Sequence, residues 1–177
     1  MPESRIVVRL ETPSDRESVR RVLLGAYGQY ENTLSRELWE NYIEEIEAAA
    51  AGKGAATKAR FVAELDGAIV GSVFLFESSE TAYGYAGIST PIIRLLAVVK
   101  AARGQGVATE LIRACAELAH AGGAESLHLH TSDRNESAVR LYERLGFERA
   151  FECDRQYGDI LAKSYRLQLN ETELLRS

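Results

Sequence analysis

Cysteine is scarce in this chain of 177 residues, and the two present, Cys115 and Cys153, are far apart, with no CxxC pair and no Cys/His cluster. That excludes a disulfide framework and a zinc-finger ligand set, and a reducing compartment is the expected setting. Long apolar runs are missing as well. Nothing approaches the roughly 18 apolar residues of a membrane span, so a soluble, cytoplasmic protein is expected. An excess of positive charge is also absent: 21 Lys and Arg face 26 Asp and Glu, a balance of −5. A nucleic-acid backbone would meet net repulsion, so DNA and RNA are poor partners. No repeat or low-complexity tract occurs. Apolar residues at 46% and charged residues at 27% are instead ordinary globular usage. The length suits one domain over 1–177, with a core at about 5–169 and a short tail.

Along the chain, 6–10 reads as a strand, and Ser14 reads as the cap of a helix running to about Gly28. A second helix is expected over 34–50, with Leu34, Leu38, Tyr42 and Ile46 every four residues. Asp66-Gly67 between 59–65 and 69–76 is a hairpin signal. Residues 77–90, rich in Ser, Tyr and Gly, read as a loop. The apolar run 91–99, broken only by Arg94, reads as a central strand covered on both faces. A helix follows Gly104 and ends at Gly122-Gly123. Strand 126–131, helix 137–145, a strand from Phe147, a last strand over 162–169 and a frayed tail complete a mixed α/β order.

The segment Leu95-Leu96-Ala97-Val98-Val99-Lys100-Ala101-Ala102-Arg103-Gly104-Gln105-Gly106-Val107-Ala108 carries the most information. A buried strand there passes through a short loop into a helix. The small residues Gly104, Gly106 and Ala108 permit close backbone approach, and first-turn N–H groups with the helix dipole form an anion site. A pyrophosphate suits it, with Arg103 and Lys100 adding positive charge. A dinucleotide fingerprint is excluded because Thr109 stands where the third glycine belongs. A Walker loop is excluded because no Gly-Lys-Ser/Thr occurs. A tight loop without a ligand is the remaining alternative.

Arg103-x-x-Gly106-x-Ala108, after a Leu-Ala-Val strand, resembles the R/Q-x-x-G-x-G/A signature of the GNAT N-acetyltransferase superfamily. Downstream, Asn135-Glu136-Ser137-Ala138-Val139-Arg140-Leu141-Tyr142-Glu143-Arg144-Leu145-Gly146-Phe147 resembles that family's N-x-x-A-x-x-x-Y-x-x-x-G-F segment. The resemblance implies a mixed central sheet flanked by helices and an acetyl-CoA-dependent N-acetyltransferase. The reaction so implied is direct attack by a primary amine of a small molecule or peptide in a ternary complex. Acetyl-CoA would be the co-substrate, with no metal. Backbone groups of Leu96, Ala97 and Val98 would meet the pantetheine arm and thioester, and Arg103, Gly104, Gln105, Gly106, Val107, Ala108 and Thr109 the pyrophosphate. Asn135 and Ser137 would add coenzyme contacts, although helix capping explains both equally. Tyr142 matches the family's general acid, against an alternative as a core aromatic. A non-catalytic acyl-CoA sensor and a transferase of longer acyl groups are the rival readings.

One family feature is missing. The general-base glutamate found in several relatives falls at Ile92, so another group, a water chain or solvent must take the amine's proton. For the acceptor, the family's substrate walls correspond to regions holding Tyr27, Tyr30, Glu31, Glu37, Trp39, Glu40, Tyr42, Tyr83, Tyr85 and Asp154. Carboxylates and aromatic faces suit a cationic amine, while a solvated helix face explains the same residues. Glu77, at the end of the neighbouring strand, is a candidate for the missing base or else an exposed hairpin charge, and Arg94 could meet a substrate carboxylate or an internal glutamate. His128 and His130 share one strand face and read as structural histidines, since two ligands do not make a metal site. The Leu, Tyr and Trp residues of the first helices suit a homodimer or a core equally.

Overall fold

In the computed structural model of the chain, Asp66 and Gly67 take φ of 52° and 86°. That pair of left-handed conformations defines a type I′ turn. The residues described are 5–28, 31–32, 34–54, 56–132, 135–157 and 160–176. The chain divides into two units, residues 1–74 with 95–112, and residues 75–94 with 113–177.

The Asp66-Gly67 turn joins β2 (Ala59–Leu65) to β3 (Ala68–Phe76). Strand β1 (Ile6–Leu10) runs antiparallel to β2, with Ile6 opposite Leu65 and Leu10 opposite Phe61. On the other side, β3 neighbours β4 (Ile92–Val98), and just past its end Val99 N donates to Val70 O at 2.8 Å. This first unit also holds α1 (Arg16–Tyr27) and α2 (Arg36–Ala50). Val19, Val22, Leu23 and Ala26 form the buried stripe of α1 at the i, i+3, i+4, i+7 spacing. Each large aliphatic side chain buried this way contributes on the order of 1.5–3 kcal/mol.

Two expectations about these helices need correction. Asp15, not Ser14, is the N-cap residue of α1, and Thr12 precedes a 3-10 turn over Pro13–Asp15 in which Asp15 Oδ2 accepts from Thr12 N at 2.7 Å and from Thr12 Oγ1 at 3.0 Å. Arg9 then grips the Asp15 carboxylate through two nitrogens, at 2.7 and 3.0 Å. On α2 the strict four-residue stripe fails, because Leu38 is 52% exposed while Ile46 and Ala50 are buried and Trp39, Tyr42 and Ile43 are half-buried. A four-residue step overshoots a full turn by about 40°, so a run of such steps winds off the inner face. Mixed three- and four-residue steps, from Trp39 to Tyr42 or Ile43 and from either of those to Ile46, stay on it.

In the second unit the N-terminal part of β4 runs parallel to β5 (Ser126–Ser132), Ile92 opposite His128 and Ile93 opposite Leu129. Strand β5 is antiparallel to the strand at Ile160–Gln168, with Ser126 opposite Gln168 and Ser132 opposite Ala162. Between these two lie α5 (Glu136–Arg144), β6 (Glu148–Arg149) and β7 (Arg155–Tyr157), which makes Ile160–Gln168 strand β8. Both β6 and β7 pair antiparallel with β8. The continuous strand expected after Phe147 is therefore broken by a 3-10 turn at Phe151–Cys153.

Residues 77–90 are not all loop, because α3 (Ser79–Tyr83) forms there between a Ser78/Thr81 capping box and a left-handed Gly84. The tail is not frayed either. Leu169 and Leu174 are buried, and the guanidinium of Arg113 donates to the Leu174 carbonyl. The helix after Gly104 is α4 (Val107–Ala121), whose residues to Ile112 belong to the first unit and whose remainder to the second. Among the described residues no helix is long and apolar enough to cross a membrane.

Candidate active site

The strand-to-helix segment of the first unit is built around three unusual backbone conformations. Leu95, in the middle of β4, has φ of 57° although it carries a side chain and is buried. A left-handed conformation costs a non-glycine residue roughly 1–2 kcal/mol and persists only where its surroundings enforce it. One such residue in a strand interrupts the ladder and re-aims the neighbouring peptide groups. At the next residue the carbonyl of Leu96 accepts a hydrogen bond from the Tyr27 hydroxyl at 2.9 Å. Tyr27, expected as a wall of the substrate site, thus holds the backbone of the strand, and its ring meets Tyr42 edge-on at 6.0 Å.

Beyond Val98 a 3-10 turn over Lys100–Ala102 leads to Gly104 and Gly106, with φ of 81° and 89°. An added Cβ at either glycine would meet no atom within 4 Å. Their absence of side chains is therefore not needed for packing in the protein itself. Gly71 on β3 is the opposite case: a Cβ there would lie 3.0 Å from Val107 Cγ1 and from Leu111 Cδ1, and 3.1 Å from the Ala97 carbonyl oxygen. That glycine lets β3 close on β4 and on the head of α4.

Val107 is buried and anchors the first turn of α4, where Glu110 N donates to Gly106 O at 3.1 Å. The amides of Val107, Ala108 and Thr109 precede that first intrahelical bond and stand at the positive end of the helix dipole. Lys100, Arg103 and Gln105 are exposed beside the same bend, and Ala108 and Thr109 are half-buried. Left-handed glycines with open space above them, at a helix head with cationic neighbours, fit a diphosphate approaching the backbone. The residues present thus fit the acetyl-CoA expected from the sequence.

The other expected site residues are distributed as follows. Asn135 caps α5, its Oδ1 accepting from Ala138 N at 3.2 Å and from Ser137 Oγ at 3.2 Å, so the capping alternative describes what both side chains do here. Tyr142 is 8% exposed and packs its ring against Phe147 and Tyr165, with centroids at 5.9 and 6.2 Å. Glu31 and Trp39 come together in one cleft of about 570 Å³ in the first unit, with Arg36 and Glu40 also on its wall. Tyr30 lies outside the described residues. Glu77 is exposed at the end of β3.

Tyr83 and Arg94 meet in the second unit, the guanidinium 4.6 Å from the ring centroid, while Arg94 Nη1 donates to the Ala82 carbonyl at 3.0 Å. Ile92, which stands where several relatives carry a glutamate, is fully buried.

Sequence reasoning missed what surrounds these last residues. Tyr85 Oη lies 2.5 Å from His130 Nε2, and His130 Nδ1 lies 2.6 Å from Ser164 Oγ. Tyr83 stacks on Tyr85 at 5.7 Å, and the Arg155 guanidinium caps the other ring 3.7 Å from its centroid. Asp154, also expected near the acceptor, accepts from Ser164 N at 2.7 Å and pairs with Arg149. His128 binds Thr90 Oγ1 through Nδ1 at 2.9 Å. Burial pushes the pKa of both histidines down to about 4. The alternation of His128 and His130 on one strand face is the available signal, and in the sequence it reads as a pair of structural histidines.

The model of the acetyltransferase (GNAT) family matches residues 17–147. The chain belongs to the GNAT family. The match takes in α1 and reaches through both motif segments to Phe147. Among curated proteins similar to this GNAT chain, N-alpha-acetyltransferase 30 of Schizosaccharomyces pombe is 39% identical over 84 residues, which are 48% of this chain and 49% of that protein. The chain spans about half or less of the length of the curated relatives it matches.

Solved structures share the fold at lower identity. The ribosomal-protein-S18-alanine N-acetyltransferase of Escherichia coli aligns with a TM-score of 0.66 at 16% identity, over 93% of this chain and 94% of that one. A GNAT-family acetyltransferase of Brucella melitensis, solved in complex with acetyl-CoA, aligns with a TM-score of 0.59 at 22% identity, over 93% and 88%. The mixed α/β GNAT fold expected from the two motifs is the fold observed.

Proposed function

We propose that this GNAT protein transfers an acetyl group from acetyl-CoA to a primary amine by direct attack in a ternary complex, with the α-amino end of a peptide as the preferred acceptor. The observation that carries the reading is the pair of left-handed glycines at the head of α4, open above and not required by packing. The acceptor class is favoured by the relatives named N-alpha-acetyltransferases and by the alanine N-acetyltransferase of like fold.

Acetyl-CoA, when bound, supplies a thioester carbonyl activated toward nitrogen nucleophiles. The amides of the bend and of the first turn of α4 would hold its diphosphate, with Arg103 and Lys100 neutralising charge and Gln105 and Thr109 offering side-chain hydrogen bonds. Backbone groups of Leu96, Ala97 and Val98 would align the pantetheine arm. A backbone N–H aimed at the carbonyl oxygen stabilises the charge that develops there, and the enforced conformation of Leu95 preorganises that stretch. Tyr142 carries the role of proton donor to the departing thiolate, and Asn135 and Ser137 order the helix that bears it.

The test is thiol release from acetyl-CoA in the presence of peptides, polyamines, amino acids and aminoglycosides. Turnover on peptide N-termini is expected, with a specificity constant well above that for small amines. Coenzyme binding without turnover on any amine would leave a coenzyme-binding domain instead. Faster turnover of longer acyl-CoA substrates would move the donor, not the reaction.

A further inference from the structure

We infer that Tyr27 is a positioning residue for the transfer: its hydroxyl holds the edge of β4 at Leu96, so that the backbone N–H there faces the thioester carbonyl. This role rests on the acetyl transfer proposed above and names a side chain on which its strand geometry depends. Tyr27 Oη donates to the Leu96 carbonyl at 2.9 Å, and both residues, 69 positions apart in the chain, belong to the first unit.

Alternate residues of a strand turn their N–H and C=O groups to opposite neighbours, and the two groups of one residue project to the same side. Val99 faces β3, because its N–H donates to Val70 O at 2.8 Å. The Ala97 carbonyl faces β3 as well, lying 3.1 Å from the place of a Cβ on Gly71. Leu96, between them in the alternation, turns its N–H and C=O to the other edge. A donor fixed on the Leu96 carbonyl therefore also fixes the direction of the Leu96 N–H. That N–H directly follows Leu95, whose φ of 57° breaks the regular run of the strand. Regular ladder bonds do not specify an edge at such a break. At Leu96 a side chain supplies the restraint that a neighbouring strand supplies elsewhere.

The ring that carries this hydroxyl is itself held. Tyr27 is the last residue of α1, and its ring meets Tyr42 of α2 edge-on at 6.0 Å. Tyr42 in turn lies against Trp39 at 6.3 Å. Aromatic packing between two helices thus sets the direction from which the hydroxyl reaches the strand. Tyr27 neither gives nor takes a proton in the reaction. Its hydrogen stays on Oη, and the Leu96 N–H is the group that faces the oxygen on which negative charge develops. A donor already aimed at that oxygen stabilises the charge without reorganising during the reaction.

The experiment compares the wild type with Tyr27→Phe, which keeps the ring against Tyr42 and removes only the hydroxyl. Three quantities are read: steady-state rates on a peptide α-amine, acetyl-CoA affinity by calorimetry, and the infrared carbonyl stretch of bound acetyl-CoA labelled with carbon-13 at the carbonyl, recorded without acceptor. The variant is expected to lose about tenfold in kcat, less than the roughly 10²–10³-fold lost when an oxyanion donor itself is removed. Acetyl-CoA affinity should stay within about twofold, so that kcat and kcat/KM fall together. In the wild type the bound carbonyl band should lie below that of free acetyl-CoA, and in the variant most of that displacement should be lost.

Should Tyr27→Phe fail to fold, difluorotyrosine placed at position 27 carries the same comparison. Its phenol ionises in the neutral range and then cannot donate to Leu96, so kcat should fall as pH rises through that ionisation, while the wild type shows no such fall. A kcat within about threefold of wild type with an unmoved carbonyl band would overturn the role of Tyr27 and leave the transfer reading standing. So would a fall in rate matched by an equal fall in acetyl-CoA affinity with the band unmoved, which is the mark of a structural contact. A wild type that binds acetyl-CoA and acetylates no amine would overturn the transfer reading, and with it any role for Tyr27 in the transfer.

Discussion

The bend between β4 and α4 and the cluster around His130 are two parts of one chain made by different means. The bend is backbone: two glycines with φ near 80–90° and the first amides of a helix, all within a few consecutive residues. The cluster is side chain, assembled from Tyr83 and Tyr85 beyond β3, Arg94 on β4, His130 on β5, Arg155 on β7 and Ser164 on β8. A backbone site tolerates almost any side chain nearby but no Cβ at its centre. A side-chain cluster tolerates neighbouring substitutions but loosens when one of its hydrogen-bonding members is replaced. The two regions should therefore respond to mutation in opposite ways.

The largest effect is expected at Gly106. A valine there occupies the space open to a diphosphate and strains a φ of 89°, so acetyl-CoA affinity should fall at least about 100-fold. Stability should fall by only about 1–2 kcal/mol, the cost of a left-handed L-residue. Calorimetry and a thermal melt on the same sample separate the two. A variant that binds normally would show that the open space over Gly106 serves no ligand.

Tyr142→Phe should come next, lowering kcat roughly 10- to 100-fold while coenzyme affinity stays unchanged. Steady-state rates at several pH values measure it, and unchanged turnover would return Tyr142 to the aromatic core with Phe147 and Tyr165.

Gly71→Ala inverts the Gly106 result. Its Cβ meets Val107, Leu111 and the Ala97 carbonyl at 3.0–3.1 Å, so overpacking should cost about 1–3 kcal/mol and lower the melting temperature by several degrees. The effect on affinity should be secondary to that on stability.

Smallest is Asp15→Asn, far in sequence from either region. The Arg9 guanidinium, joined by the Thr12 amide, holds the Asp15 carboxyl well below the usual carboxylate range. Its folded pKa lies below the unfolded one, so its stabilisation is fully present above about pH 4 and is lost as pH falls toward the folded value. Chemical denaturation should show the variant about 1 kcal/mol less stable at pH 7, a gap that narrows in acid.

How much could be read beforehand follows the same division. The bend was legible because a backbone site is written in consecutive residues: glycine at Gly104 and Gly106, then a helical period. The hairpin at Asp66-Gly67 and the central strand at Ile92–Val98 were legible for the same local reason. Other features depended on partners distant in sequence. The Tyr85 and His130 pair is separated by 45 residues, and the Tyr27 hydroxyl reaches the Leu96 carbonyl across 69. The left-handed Leu95 had no signal at all, since leucine gives no hint of positive φ. The α3 turn was hidden by a capping box of Ser78 and Thr81, in which N3 is Thr instead of the usual Glu or Gln. The tail seemed polar, yet Leu174 and the Arg113 bond to its carbonyl secure it.

Calorimetric titration of the wild-type protein with acetyl-CoA and, separately, with acetyl-pantetheine, which shares the thioester arm but lacks the diphosphate, tests the role of the α4 head most directly. Acetyl-CoA is expected to bind at least tenfold more tightly. Equal affinities for the two ligands, or no association with either at millimolar concentration, would contradict it.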